Sequence, residues 1–306
     1  MNIRSSLALS ALAATLLTAG CSNSSTDTNS ANAASTSSNT GTAAASASSS
    51  SDSSSAPASA SAAASADFTA AIDSYREYVI TETDALVKDT GAFVDAINSG
   101  NIEEAKKLYA PARMHYERIE PIAEALGDLD PNIDARDGDV DPSEWRGFHR
   151  LEKALWEDKS TDGTKEYADR LLSDTKLLRA KVETVDIEPS LLVTGAVELL
   201  NEVSTSKVTG EEDRYSRTDL YDFAANVEGA EKIYELLKPN LADKDPELEK
   251  KIGDSFTVLQ NELNSYAKDG GYVSYDVLKE DEVRKLSQNL DALAEPLSQM
   301  GTLLGV

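Results

Sequence analysis

From Phe68 to the C-terminus, apolar residues recur at three- and four-residue steps, and no stretch alternates with the two-residue period of a half-buried strand. That pattern restricts the foldable chain to an all-α architecture. Phe68, Ile72, Tyr75 and Val79 open a first helix that continues through Leu86 and Phe93 to about Ile97. Asn98-Ser99-Gly100-Asn101 stops it and starts a second, over 102–126. Pro111 and Pro121 fall inside that second helix. Each removes an amide donor and crowds the preceding turn, so a kink or break is expected there. Residues 127–141 read as a long acidic loop, and Asp141-Pro142 as the cap and first residue of a third helix carrying Trp145, Phe148, Leu151, Leu155 and Trp156. Further helices are expected over 164–185, 189–203, 218–237 (stopped by Pro239) and 246–267. A polar loop covers 204–216, Gly270-Gly271 breaks the chain, and 275–304 supplies one or two more. Eight helices with short links point to up-down bundles, divided four and four near Glu188.

The preceding segment is of another kind. Residues 22–66 are almost entirely Ser, Ala, Thr, Asn and Gly, with Pro57, Asp27 and Asp52. Without aromatics or large aliphatics such a stretch cannot offset its ordering entropy, so it reads as a disordered tether before a domain at 67–306. Residues 1–21 form a weakly basic start, an apolar run from Leu7 to Leu17 too short to span a bilayer, and Leu17-Thr18-Ala19-Gly20-Cys21. The last five residues resemble a bacterial lipobox, with Thr18 where Leu is usual. The expectation is a signal peptide ending at a lipidated Cys21, which would anchor the protein on the outward face of a bacterial cell membrane. The alternative is an ordinary signal peptide with Cys21 a spare thiol.

Cys21 is the only cysteine, which excludes an intrachain disulfide, a thiolate metal site and a cysteine nucleophile in the domain. The chain carries a net charge of −25, and all but three of its charged residues (Arg4, Asp27 and Asp52) lie from Asp67 onward. A surface of that sign repels phosphate backbones, so no nucleic-acid partner is expected; it attracts cations. HExxH, GxSxG and Walker motifs are absent.

His149 and Glu152 stand three residues apart in a helical segment, so an imidazole nitrogen and a carboxylate share one face. Taken alone, this HxxE is more often a buried His paired with a Glu. Glu117 and Glu120 form a second pair with the same spacing. Two such carboxylates repel unless a cation lies between them or one holds a proton. Together the pairs offer one nitrogen and three carboxylates, a hard donor set of the kind found between facing helices of bundles and suited to iron, zinc or manganese. Asp130, Asp134 and Asp137 could close such a site from the loop. Glu211, Glu212 and Asp213 could approach from the second half. His115 points about 200° around the helix from Glu117 at roughly 100° per residue and is left out.

These residues sit in motifs that resemble a known family. Tyr109-Ala110-Pro111-Ala112-Arg113, Tyr116-Glu117-Arg118-Ile119-Glu120-Pro121 and Gly127-Asp128-Leu129-Asp130-Pro131 resemble the opening of the imelysin-like, M75-type domain. Gly147-Phe148-His149-Arg150-Leu151-Glu152 resembles its GxHxxE signature, and Thr209-Gly210-Glu211-Glu212-Asp213-Arg214-Tyr215-Ser216 with Asp222-Phe223-Ala224-Ala225-Asn226 its second-half motif. The resemblance spans about 68–300 and is strongest to the EfeO/EfeM iron-uptake lipoproteins. It implies two four-helix bundles packed as two lobes, about 67–187 and 188–306. It also implies a monomeric, non-enzymatic protein that captures iron (Fe3+ or Fe2+, with zinc as a possible substitute) outside the membrane. The implied partners are a ferric iron permease (EfeU-like) and a haem peroxidase (EfeB-like). Carried over, His149, Glu152, Glu117, Glu120 and Asp134 are the metal ligands, and Glu212 belongs to a cleft between lobes. Two departures stand out. A Ser/Ala tether occupies the place of the cupredoxin domain of many relatives, and Arg217 stands where the second-half motif often has His. The alternatives are an M75-type metallopeptidase, for which no general base can be named, and a polysaccharide-binding protein, for which the negative charge is a poor match unless a cation bridges.

Overall fold

The computed structural model describes the backbone from Ala58 and the side chains from Phe68 to Val306. Cys21, the signal segment and most of the expected tether lie outside the described residues. Helix α1 (Ala58–Asn98) places Phe68, Tyr75, Val79, Leu86, Phe93 and Ile97 on one buried face. It starts ten residues before Phe68, inside the stretch expected to be tether. Alanine is the best helix former, and adding turns to an existing helix needs no new nucleus. Asn101 caps α2 (Ile102–Glu117) by accepting the Glu104 amide at 3.3 Å.

The prolines correct the expected boundaries. Pro111 lies within α2 without ending it, and Pro239 lies within α8 (Asp219–Lys244) where a stop was expected. Both are on solvent-facing positions, where water can satisfy the carbonyl that loses its partner. The break comes instead at Arg118-Ile119, and Pro121 sits in the first turn of α3 (Glu120–Glu124), where its missing amide costs nothing. The acidic loop contains α4 (Leu129–Asp134). The third expected helix does not start at Pro142. It is α5 (Phe148–Lys153), continued by a π turn over Ala154–Asp158. Then follow α6 (Lys165–Val182), α7 (Pro189–Thr205), α8, α9 (Pro246–Asn264) and a single α10 (Glu280–Leu304). Two-residue strands β1 (Ala267–Lys268) and β2 (Gly271–Tyr272) pair antiparallel, too short for the two-residue period to show in sequence.

Helix α1 packs on α2 and α6; α7 packs on α8 and α10; α9 packs on α8 and α10. Helix α8 also packs on α2 and α1, so one apolar core runs through the described residues. The α2–α8 approach is close enough that a Cβ on Gly229 would lie 2.4 Å from the Arg118 carbonyl oxygen. Among the described residues no helix is long and apolar enough to cross a membrane.

Candidate metal centre

Helix α2 lines up Tyr109, Arg113 and Glu117 at four-residue steps on one face, and the first turns of α8 line up Asp219, Asp222 and Asn226 at steps of three and four. All six are fully buried, in a seam where an apolar core would be expected. The Arg113 guanidinium is its hub. It pairs with Asp134, with Glu117 at 2.5 Å, Asp222 at 3.4 Å, Glu212 at 3.5 Å and Asp213 at 3.8 Å. Burial would lower its pKa, but Asp134 and Asp222 raise it well above the ordinary value, so the cation is permanent.

Three further segments converge on this seam. Helix α4 ends at Asp134. Gly147, at φ 89°, starts α5 so close to α4 that a Cβ would stand 2.2 Å from the Ile133 carbonyl oxygen. This tight junction brings His149 beside Asp134. The loop before α8 folds around two carboxylates: Asp219 accepts the amides of Glu212 and Asp213 at 3.2 Å each, and Glu152 accepts those of Tyr215 at 3.0 Å and Ser216 at 2.7 Å.

His149 is 1% exposed. Its Nε2 faces Glu212 Oε1 at 3.4 Å and Asp134 Oδ1 at 3.7 Å. Its Nδ1 faces Glu152 Oε2 at 3.1 Å, the Tyr109 hydroxyl at 3.3 Å and Asp213 Oδ1 at 3.8 Å. Two donor sets therefore close around one ring, Asp134–His149–Glu212 and His149–Glu152–Asp213, each with its atoms within 4.8 Å of one another. Burial and Arg113 act to lower the His149 pKa, but the bond to Glu152 and the nearby Glu212 and Asp134 carboxylates outweigh them and push it up to about 10. Burial raises Asp134 to about 7 against the pull of Arg113. Burial also opposes ionisation of Glu212, yet Lys207 and His149 hold it well below the usual carboxylate range. The surrounding acids thus favour the imidazolium form of His149.

Asp134 and Glu212 also face a cavity of about 170 Å³ lined by Glu120, Glu202, Asp130 and Arg136. Glu117 and Glu120 belong to neither donor set. Their carboxylates meet the buried Lys207 ammonium at 2.9 Å and 3.6 Å and the Asn226 amide at 3.1 Å and 3.2 Å. Asp130 accepts the Tyr116 hydroxyl, and Asp137 takes Lys153 at 2.8 Å and the Tyr215 hydroxyl at 2.9 Å. Glu211 is exposed and pairs with Arg214 at 3.6 Å. His115 is held elsewhere, by Glu82 at 2.8 Å and Asp89 at 3.3 Å. Arg217 braces its own loop, donating to the Gly210 carbonyl at 2.7 Å and to Asp276 at 2.8 Å.

Residues 71–300 match the imelysin family. The chain belongs to that family. It is also 48% identical over 241 residues to proteins named iron uptake system component EfeO in Escherichia coli O157:H7, Escherichia coli K12 and Shigella flexneri. The aligned part is 77% of this chain and 64% of theirs, so the imelysin chain spans under two thirds of the length of these relatives.

Sequence reasoning missed Tyr109, Lys207, Asp219, Asp222 and Asn226, and the hub role of Arg113. One signal was available in this imelysin sequence: Asp219, Asp222 and Asn226 at i, i+3 and i+7 fall on one face among Leu220, Phe223, Ala224, Ala225 and Val227 in the most apolar turns of the helix. Lys207 carries no such mark.

Proposed function

We propose that this protein captures iron on the outward side of a bacterial cell membrane, anchored through Cys21, and passes it to a ferric permease with a haem peroxidase as further partner. It acts as a binding protein and not as an enzyme. The lobes 67–187 and 188–306 each supply ligands, Asp134 and His149 from the first and Glu212 from the second. The observation that carries the reading is the His149 Nε2 atom. It is buried without a hydrogen-bond partner, 3.4 Å from Glu212 and 3.7 Å from Asp134, two carboxylates that line the acidic cavity. One imidazole and two carboxylates form a donor set suited to iron, with zinc as a substitute.

Glu152 takes a different part in this reading. One of its oxygens is held by two backbone amides and the other faces Nδ1, which leaves Nε2 free for a metal. That is the carboxylate–histidine arrangement that orients metal-bound imidazoles. The support from relatives is that they are iron uptake system components.

The test is iron binding to His149→Ala and Glu152→Gln by titration calorimetry. His149→Ala abolishes binding. Glu152→Gln presents an amide donor to Nδ1, drives the ring proton to Nε2, and weakens binding by about 10–100-fold. Wild-type affinity in His149→Ala sinks the reading.

A further inference from the structure

The cavity in front of the centre has one basic side chain in its wall among the described residues, Arg136. Its Nη1 donates to Glu212 Oε2 at 2.9 Å. Its Nε donates to Asp139 Oδ2 at 3.0 Å, and the same oxygen accepts its backbone amide at 3.1 Å. Arg136 is therefore held by its own turn and reaches across to a residue 76 positions away. The Glu212 carboxylate is shared. Oε2 is taken by Arg136 from the cavity side, and Oε1 is the oxygen 3.4 Å from His149 Nε2. The Glu212 side chain is 2% exposed and that of Arg136 25%, so the guanidinium stands between the donors and solvent.

We propose that Arg136 is a positioning residue that sets how fast the site exchanges its cation. By holding Oε2 it turns Oε1 inward, which slows release. By placing a positive charge in an acidic cavity it slows arrival. Its loss raises both rates, and affinity changes less than either. A lysine at 136 restores the charge but not the two-partner fork, since an ammonium is a point charge on a flexible stem. It returns arrival toward wild type while release stays fast. The inference rests on the reading that Asp134, His149 and Glu212 hold iron.

A control lies beside it. Arg214 Nη1 donates to the Asp137 carbonyl at 2.6 Å, tying the same two loops without touching Glu212. A role that was only structural would be shared by both contacts. The experiment is anaerobic stopped-flow with iron(II) on the full chain. Arrival is followed by tryptophan fluorescence, to which Trp145 contributes; its indole N–H donates to the Ala135 carbonyl at 2.7 Å, between Asp134 and Arg136. Release is followed with a colorimetric iron(II) chelator.

Arg136→Gln releases iron about tenfold faster or more, in line with the weakening seen when groups supporting metal ligands are removed. Arg136→Lys releases as fast as Arg136→Gln but binds at near the wild-type rate, and Arg214→Gln matches wild type in both. Release from Arg136→Gln within about twofold of wild type, with His149→Ala unable to bind, overturns the role of Arg136 and leaves the site standing. Iron binding by His149→Ala at the wild-type level overturns the site itself. Should Arg136→Gln fail to fold by circular dichroism, Asp139→Asn frees the outer anchor of the same guanidinium, and unchanged release there is equally fatal.

Discussion

The α9–α10 interface and the α2–α8 seam are equally dry and are held on opposite terms. Between α9 and α10, Ile252, Phe256, Leu259, Leu290 and Leu293 are all 0–1% exposed and apolar. Between α2 and α8, Arg113, Glu117, Asp222 and Asn226 are fully buried too. The first interface depends on apolar area and volume, which many side chains could supply. The second depends on direction. Each carboxylate needs a donor, and a buried charge cage loses heavily when one partner goes. An apolar seam would hold the helices at least as well, so stability alone does not account for the polar one, and it is the seam proposed above to bind iron.

Removing the hub should give the largest effect. Arg113→Met leaves Glu117, Asp134 and Asp222 without their common cation and should destabilise by about 3–5 kcal/mol in urea unfolding. A variant within about 1 kcal/mol of wild type would mean that protonation of the acids substitutes for the guanidinium without strain. The matched change in the other region is Leu290→Ala, which removes a fully buried side chain and should cost about 2–5 kcal/mol. The two differ in what else they change: Leu290→Ala should keep wild-type iron affinity, and Arg113→Met should not. Loss of iron binding in Leu290→Ala would erase the distinction between the regions.

The apolar region was largely legible in the sequence, because its cause is local. Phe256 and Leu259, or Leu290 and Leu293, repeat at helical steps and face inward wherever the helix goes. The boundary error at Pro239 has a physical origin. A proline's cost depends on whether water reaches the freed carbonyl, and the sequence does not show which side of the helix meets solvent. The polar seam was legible as residues but not as an arrangement. Asp134, His149, Glu152 and Glu212 each stand out as a possible donor, yet which oxygen faces which nitrogen follows from a tight junction at Gly147 and a loop wrapped around Asp219. For Glu117 and Glu120 the spacing argument calls for a cation between them, and the ammonium of Lys207 lies there. Lys207 and Glu117 are 90 positions apart, and no short-range pattern links them.

A smaller effect separates the regions by pH. The His149 pKa is about 10 in the fold against 6.5 unfolded, so its contribution is full below pH about 6.5 and is lost as pH rises toward 10. Asp134, at about 7 against 3.8, has the same sign: the fold binds the proton more tightly, and stability falls as pH rises through 7. Metal-free protein should therefore be more stable at pH 6 than at pH 9, by an amount on the order of 1–3 kcal/mol. Iron should reverse the trend, because the metal competes with these protons and binds more tightly as they leave. Leu290→Ala should retain the pH slope and His149→Ala should flatten it. A metal-free wild type whose urea midpoint does not fall between pH 6 and pH 9 would show that the seam does not hold these protons.

The smallest effect comes from an ion pair with no seam around it. Lys251 and Glu295 meet at 2.9 Å between α9 and α10, on the outer side of the apolar interface, with side chains 52% and 66% exposed. The contact is as short as that of Lys207 with Glu117, but water screens it and two long side chains must be ordered to make it. Lys251→Ala should change stability by less than about 1 kcal/mol, and 0.5 M salt should remove most of that change. Lys207→Met should destabilise by several times as much and resist the same salt, because ions do not reach a buried pair and its loss leaves Glu117 and Glu120 facing each other. Equal effects of the two lysines would mean that burial does not set the worth of a charge in this protein, and the contrast between the two regions would then have no physical basis.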